Sequence, residues 1–342
     1  MVFKMEKIAV IIPVYNGIGV VDQCIKALTT QSVKPDNIIC IDDASPDNSY
    51  KYIKKKYQYV TVIRNCCNLG ASGAYALGIY YAYINGYKWI WLLDQDSEPQ
   101  KNTLEKLLHI SKKYYMKKII LTPTLVSRFL NYVYIMINRK RFLFIKRDFD
   151  PNKPYHTLLA TFSGLLLPYA AIKEAGLPLI ELTMDCADWE YSIRLWLYGW
   201  NIFVMPKGIV YHKGGKPTTS PSIYRRSFYK YIYNKIVYLK SKTQIVSIYS
   251  KSRYYTRGKN SIYLFRLPYT PNIIRAYILY WLTGTFIKLL FAEEDGLSKT
   301  KSYLTGISQG LLYKPGIKTG ENARLKSFID AKYFLNKSMI YE

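Results

Sequence analysis

Two carboxylates one residue apart, Asp94 and Asp96, follow directly on the apolar run Trp89-Ile90-Trp91-Leu92-Leu93. Alternate residues of an extended chain point to one side, so the pair can face a single hard cation or the diphosphate that such a cation carries. An isolated Asp-x-Asp is more often a solvated acidic turn, and the remainder of the chain has to separate the two readings. A second acidic stretch, Asp42-Asp43-Ala44-Ser45-Pro46-Asp47, ends another apolar run. Asp43 is placed there to accept a pyrimidine imide N–H, while Asp47 or Ser45 caps the helix that follows. The small-residue segment Asn68-Leu69-Gly70-Ala71-Ser72-Gly73 opens a helix whose N-terminus favours a phosphate, although such glycines are more often packing devices. No Ser/His or Cys/His arrangement suits nucleophilic catalysis.

The elements that must position these residues alternate. Lys7–Val14, Asn37–Ile41, Val60–Arg64 and Trp89–Leu93 read as strands; helices are expected over Val20–Gln31, Asn48–Lys56, Ala71–Ile84 and about Asn102–Tyr115. This spacing predicts right-handed β-α-β units and an α/β fold with a mostly parallel central sheet, whose carboxyl edge carries the acidic turns. Asn131–Asp150 is basic and reads as an inserted hairpin or mobile loop. Thr161–Pro168 returns to a strand and Asp185–Tyr198 to a helix.

Composition bounds the rest. The 342 residues are 49% hydrophobic, enough for one sizeable domain plus an appendage, and carry a formal charge of +26. Residues 217–342 hold 21 Lys/Arg against 6 Asp/Glu, and residues 1–216 hold 28 against 17, so the smaller C-terminal part must meet something anionic. Five cysteines, Cys24, Cys40, Cys66, Cys67 and Cys186, fit no zinc or redox spacing and suggest a reduced compartment. No secretory signal is visible, and the long apolar stretch Ile273–Phe291, interrupted by Arg275 and Lys288, reads better as an interfacial helix than as a membrane span.

In order, Pro13-Val14-Tyr15-Asn16, Asp42-Asp43-Ala44-Ser45-Pro46-Asp47, Asn68-Leu69-Gly70-Ala71-Ser72-Gly73 and Leu93-Asp94-Gln95-Asp96-Ser97 resemble the large inverting family of bacterial glycosyltransferases with the A-type, Rossmann-like nucleotide-diphospho-sugar fold. The resemblance covers about residues 7–215 and includes Gly164, Asp188-Trp189-Glu190-Tyr191-Ser192-Ile193-Arg194 and Val210-Tyr211-His212. It implies a catalytic domain over 1–215, with a nucleotide half to about residue 100 and an acceptor half after it. Pro13, Tyr15, Asn16, Asp43, Arg64, Asn68, Gly70 and Asp94 would line the nucleotide, and Gly164 and Trp189 the sugars. Asp96 would bind a divalent cation, Mn²⁺ or Mg²⁺, with His212, and Asp94 would bind it too or act through the sugar, the ribose or a water. Asp188 would be the general base for an attacking hydroxyl, with Asp185 as the competing acid. Glu190 and Arg194 would hold the helix in register, unless they form an ordinary helix-face ion pair.

The form of these motifs looks most like the branch containing rhamnosyltransferases that use dTDP-L-rhamnose; galactofuranosyltransferases using UDP-galactofuranose share the layout. The expected setting is surface-polysaccharide assembly, such as O-antigen or capsule, on a lipid-linked glycan at the cytoplasmic face of a bacterial inner membrane. A basic, mainly helical region over 216–342 would contact the membrane surface or a second subunit. Its stretch Tyr224-Arg225-Arg226-Ser227-Phe228-Tyr229-Lys230-Tyr231-Ile232-Tyr233-Asn234-Lys235 suits a headgroup boundary, although Tyr233-Asn234 stands where many relatives have Arg-Asn. Gly306-Ile307-Ser308-Gln309-Gly310-Leu311 resembles the closing helix of that branch. A chain with 35 tyrosines and this charge is also a conceivable binder of single-stranded nucleic acid, but it shows no recognisable module for that role. A sugar-activating nucleotidyltransferase is disfavoured because Pro13–Gly19 lacks a cation.

Overall fold

The computed structural model describes residues 6–113, 118–127, 136–138, 141–143, 153–212, 217–218, 246–247, 249–293, 295–313, 317 and 319–342. They divide into two compact units, one built from 1–212 with 319–342 and the other from 213–318. The C-terminal 24 residues therefore belong to the first unit and not to the expected 216–342 appendage. Helix α10 (Gly320–Leu335) packs on α3 (Gly70–Ile84), and β14 (Met339–Tyr341) pairs antiparallel with the outer edge of β3 (Val60–Arg64), covering an otherwise open strand.

In the first unit, β3, β2 (Asn37–Asp42), β1 (Ile8–Val14) and β4 (Trp89–Leu92) lie side by side and parallel in that order. Their β-branched runs are buried on both faces, as crossover helices on each side of a parallel sheet require. The chain steps one way from β1 to β2 to β3 and then returns to the other side of β1 for β4. The β1/β4 boundary is thus the topological switch point, where loops diverge and leave a crevice at the strands' carboxyl ends.

Past β4 the sheet is mixed. β10 (Leu166–Pro168) runs antiparallel between β4 and β6 (Ile119–Ser127), β11 (Asn201–His212) is parallel to β6, and β5 (Ser97–Pro99) and β9 (Tyr155–Thr157) pair antiparallel with β11. The expected strand over Thr161–Pro168 shrinks to three residues because its first half turns to pass the end of β4, with Gly164 N–H donating to Leu92 O at 2.7 Å. β7 (Met136–Asn138) and β8 (Arg141–Leu143) form an antiparallel pair inside the expected hairpin; most of that segment and all of Tyr224–Lys235 lie outside the described residues.

Helices α1 (Val21–Thr29), α2 (Ser49–Lys56), α4 (Thr103–Lys113), α5 (Tyr169–Ala175) and α6 (Ala187–Leu197) complete this unit with α3 and α10. Val10, Ile12 and Trp91 meet Cys24, Ile25 and Leu28 of α1 in its main core. Helix α3 lies close on the sheet because Gly78 has no side chain: a Cβ there would sit 2.3 Å from Ile11 Cγ2. That close approach lets Tyr75, one turn earlier, reach the end of β4.

In the second unit, α7 (Lys251–Arg266), α8 (Asn272–Ala292) and α9 (Gly296–Leu312) are helices, and β12 (Pro217–Thr218) pairs with β13 (Val246–Ser247). Among the described residues, Asn272–Leu290 is the one helical stretch long and apolar enough to cross a membrane, with mean hydropathy 1.3. The cations that interrupt it bind within the unit. Arg275 donates to the carbonyls of Phe265 and Leu267 at the end of α7, and Lys288 meets Glu293 at 2.8 Å.

Candidate active site

The acidic pair sits at the switch point. Leu93 N–H still bonds Ile11 O in the parallel ladder, and the chain then turns, with Ser97 N–H donating to Asp94 O at 3.0 Å. Gln95, between the two acids, grips the loop after β1: its amide accepts from Tyr15 N–H and donates to Tyr15 O, both at 3.1 Å. The two loops that flank the crevice are therefore tied to each other. Tyr15 and Asn16 stand exposed on its rim, and Pro13 is half-buried beneath them.

His212 reaches the same point from the far end of the sheet. In β11, Pro206-Lys207-Gly208 forms an excursion with no counterpart on β6, since Met205 pairs with Pro123 and Ile209 with Thr124. The strand resumes with His212 opposite Ser97 of β5. Its Nε2 lies 3.0 Å from Asp94 Oδ2 and 3.2 Å from Asp96 Oδ1. These gaps match the ~3 Å edges between ligands held about 2.1 Å from one ion, and an imidazole with two carboxylates suits Mn²⁺ at least as well as Mg²⁺. The residues present fit a divalent cation, with all three ligand atoms within 4.8 Å of one another.

Three further residues build this corner and carry no motif of their own. Buried Tyr75 donates its hydroxyl to Asp94 Oδ1 at 2.7 Å, its ring packed against Phe162 at 4.9 Å. Asp94 N–H donates to Ser163 Oγ, and Ser163 pairs with Ser97 at 2.7 Å. Tyr75 is the first of four tyrosines in α3, set among the small residues of its opening turns, and Ser163 gave no signal.

Asp188 lies in the first turn of α6 and is partly buried. Loss of solvent, then the charge of Asp185, and to a smaller degree that of Asp94, push its carboxyl up to about 7. The Asp94 contribution places Asp188 within electrostatic reach of the acidic pair. Trp189 N–H donates to its Oδ1 at 2.9 Å. Glu190 and Arg194, one turn apart, are fully buried and bidentate, at 2.8 and 2.9 Å. The remaining guanidinium donors bond the carbonyls of Ala175 and Leu177, each at 2.6 Å. The pair is thus no solvated helix-face bridge: it fastens α6 to the turn after α5.

Two of the expected ligand positions are bonded within the protein. The amides that open α3 face a carboxylate of the protein itself: Asp43 accepts from Leu69 N–H and Asn65 Nδ2 on Oδ1 and from Gly70 N–H on Oδ2, at 2.8–2.9 Å. Ser72 N–H goes to Thr183 O and Asn68 Oδ1 also accepts from Gly70, so Asn68 and Gly70 shape this loop. Burial pushes the Asp43 carboxyl up, against the opposing effect of those three bonds. Gly164 is the second. It is buried at φ +91°, a Cβ would lie 2.5 Å from Pro123, and its carbonyl accepts from Trp91 Nε1, so it packs the core.

Elsewhere on this edge, neither expected cap holds: the N-cap position of α2 is Asn48, Asp47 Oδ1 accepts from Ser49 N–H from one residue further out, and Ser45 Oγ accepts from Asn16 N–H. Arg64 approaches Asp42 at 3.4 Å and stacks on Tyr50 at 4.0 Å.

Residues 9–165 match the family described as Glycosyl transferase family 2. A poly(ribitol-phosphate) beta-glucosyltransferase of Bacillus spizizenii is 40% identical over 73 residues, which cover 20% of this chain and 12% of that protein. The galactofuranosyltransferase GlfT1 of Mycolicibacterium smegmatis is 32% identical over 78 residues, covering 23% and 26% respectively. The matched part is thus about an eighth and a quarter of these relatives. The structure of S. aureus TarS 1-349 in complex with UDP aligns with TM-score 0.47 at 15% identity, over 92% of this chain and 95% of that one. Asp188 and Arg194 of α6 and His212 of β11 lie beyond the matched segment, so the likeness to glycosyl transferase family 2 spans the elements from β1 to the turn before β10.

Proposed function

We propose that the protein transfers a sugar, with inversion, from a nucleoside-diphosphate donor to a hydroxyl of a glycan acceptor. The observation that carries this reading is the convergence of the Asp94/Asp96/His212 cluster with a carboxylate held near neutrality, Asp188, at the switch point of a family 2 domain. A divalent cation bound by the cluster would neutralise charge on the departing diphosphate. Asp188 accepts the proton of the attacking hydroxyl, and its raised affinity for a proton makes that transfer favourable near pH 7. Tyr75 fixes the orientation of Asp94, and the Glu190–Arg194 pair fixes α6, and with it Asp188, to the turn after α5. Asp185, one turn before Asp188, raises its basicity through charge. Trp189 flanks the base. Asp43 has one Oδ2 lone pair left for a pyrimidine N–H, so its first task is to hold the loop that the base would rest on.

Of the two donors expected from the sequence, the likeness to the galactofuranosyltransferase GlfT1 supports UDP-galactofuranose over dTDP-L-rhamnose. Incubation with UDP-galactofuranose, dTDP-L-rhamnose and UDP-glucose, with Mn²⁺, Mg²⁺ or chelator, separates them. Metal-dependent release of UDP from UDP-galactofuranose supports the assignment. Turnover of dTDP-L-rhamnose alone overturns the donor, and turnover unaffected by chelator overturns the metal role. The charge of residues 217–342 supports a lipid-linked acceptor at an anionic membrane surface, on the cytoplasmic face of a bacterial inner membrane. Cosedimentation with anionic but not neutral vesicles is the expected result, and equal binding to both would contradict it.

A further inference from the structure

The loop that grips Asp43 contains two adjacent thiols. Cys66 and Cys67 are both exposed, with Sγ atoms 3.9 Å apart, whereas Cys24, Cys40 and Cys186 are buried. On one side of the pair stands Asn65, whose amide donates to Asp43 Oδ1; on the other stand Leu69 and Gly70, whose N–H groups donate to both Asp43 oxygens. The thiols therefore lie inside a six-residue segment whose two ends are fastened to a single carboxylate.

We propose that Cys66 and Cys67 form a redox-responsive dithiol site, which a small disulfide oxidises to a vicinal disulfide and which thereby loosens the nucleotide side of the crevice. The inference rests on the functional reading above for its consequence, and on the loop geometry for its mechanism. One cysteine thiolate attacks a low-molecular-weight disulfide and releases one thiol; the second cysteine, losing its proton, attacks the mixed disulfide and releases the other. Two protein S–H bonds are lost, one S–S bond forms, and the two electrons pass to the small disulfide, which leaves as two thiols. Adjacent Cα atoms are ~3.8 Å apart across a planar peptide, less than the roughly 4.4–6.8 Å that ordinary disulfides span. Closure therefore reshapes the backbone between Asn65 and Asn68 and draws the donors off Asp43. A bond strained in this way is readily reduced again, so the change reverses in a reducing compartment.

The test uses the full chain, treated with glutathione disulfide and then with dithiothreitol. The tryptic peptide 65–88 contains both cysteines and no other, so loss of two hydrogens from it reports the vicinal disulfide. Amide hydrogen exchange at Leu69 and Gly70, and titration with UDP and Mn²⁺, report the loop and the crevice. The expected result is faster exchange at both amides and roughly tenfold weaker UDP binding after oxidation, both restored by dithiothreitol and both absent in Cys66→Ser. Formation of the disulfide with unchanged exchange overturns the proposal, as does accumulation of glutathione adducts alone. A reduced protein that binds no UDP counts against the functional reading, while the exchange data still decide the switch.

Discussion

Two acidic corners lie on the same sheet edge and are built in opposite ways. At the end of β2, Asp43 is enclosed by two backbone amides and the Asn65 side chain, donors that do not titrate and that belong to one short loop. At the end of β4, Asp94 and Asp96 are drawn together around His212, with Asp188 close enough to feel the charge of Asp94. The first corner neutralises a buried carboxylate with fixed dipoles, which is how a loop is held. The second concentrates carboxylates around an imidazole, an arrangement that a bound cation would stabilise and that an empty, purely structural corner has no need of. On the proposed function, the first corner is architecture and the second is chemistry.

Removing Asp43 gives the largest expected effect on stability. Asp43→Ala leaves two buried donors, the Asn65 side-chain amide and Leu69 N–H, without their acceptor, at ~1–3 kcal/mol each, so denaturant unfolding should show a loss of about 2–6 kcal/mol. A loss below about 1 kcal/mol would place Asp43 with the chemical corner instead. At that second corner, Tyr75→Phe removes one hydrogen bond to Asp94 and little volume. Supporting partners of metal ligands are typically worth about 10–100-fold in affinity, so Mn²⁺ binding measured by electron paramagnetic resonance should weaken by about tenfold while the melting temperature stays nearly constant. Unchanged Mn²⁺ affinity would remove Tyr75 from the site.

The sequence made the parallel half readable because each of its strands is a contiguous buried run that ends in polar turn residues. Asp94, Asp96 and Asp188 were legible for the same reason: each adjoins a recognisable element end. What stayed hidden depends on contacts remote in sequence. Three-residue strands such as β5 and β14 carry too little pattern to be seen, yet β5 sets the register that delivers His212. Tyr75 and Ser163 matter only because α3 and the turn before β10 converge on β4. The helix opening around Gly70 offered a phosphate site or a packing device, and in the structure Gly70 N–H meets the protein's own carboxylate, 27 residues earlier.

The pH dependence of turnover, for the natural chain and for Asp188→Asn, tests the central claim most directly. Asp188 accepts a proton only when ionised, and its carboxyl is raised to about 7. Activity should therefore rise about tenfold per pH unit on the acid side and level off above pH 7. The same shift has the opposite sign for folding: the folded chain holds this proton more tightly than the unfolded one, so stability falls as pH rises from about 4 towards 7. Asp188→Asn should abolish that part of the fall, retain UDP and Mn²⁺ binding, and lower kcat by about 10²–10⁴-fold. An Asp188→Asn protein that is folded, binds UDP and keeps both the rate and the pH profile of the natural chain would contradict the assignment of Asp188 as the base.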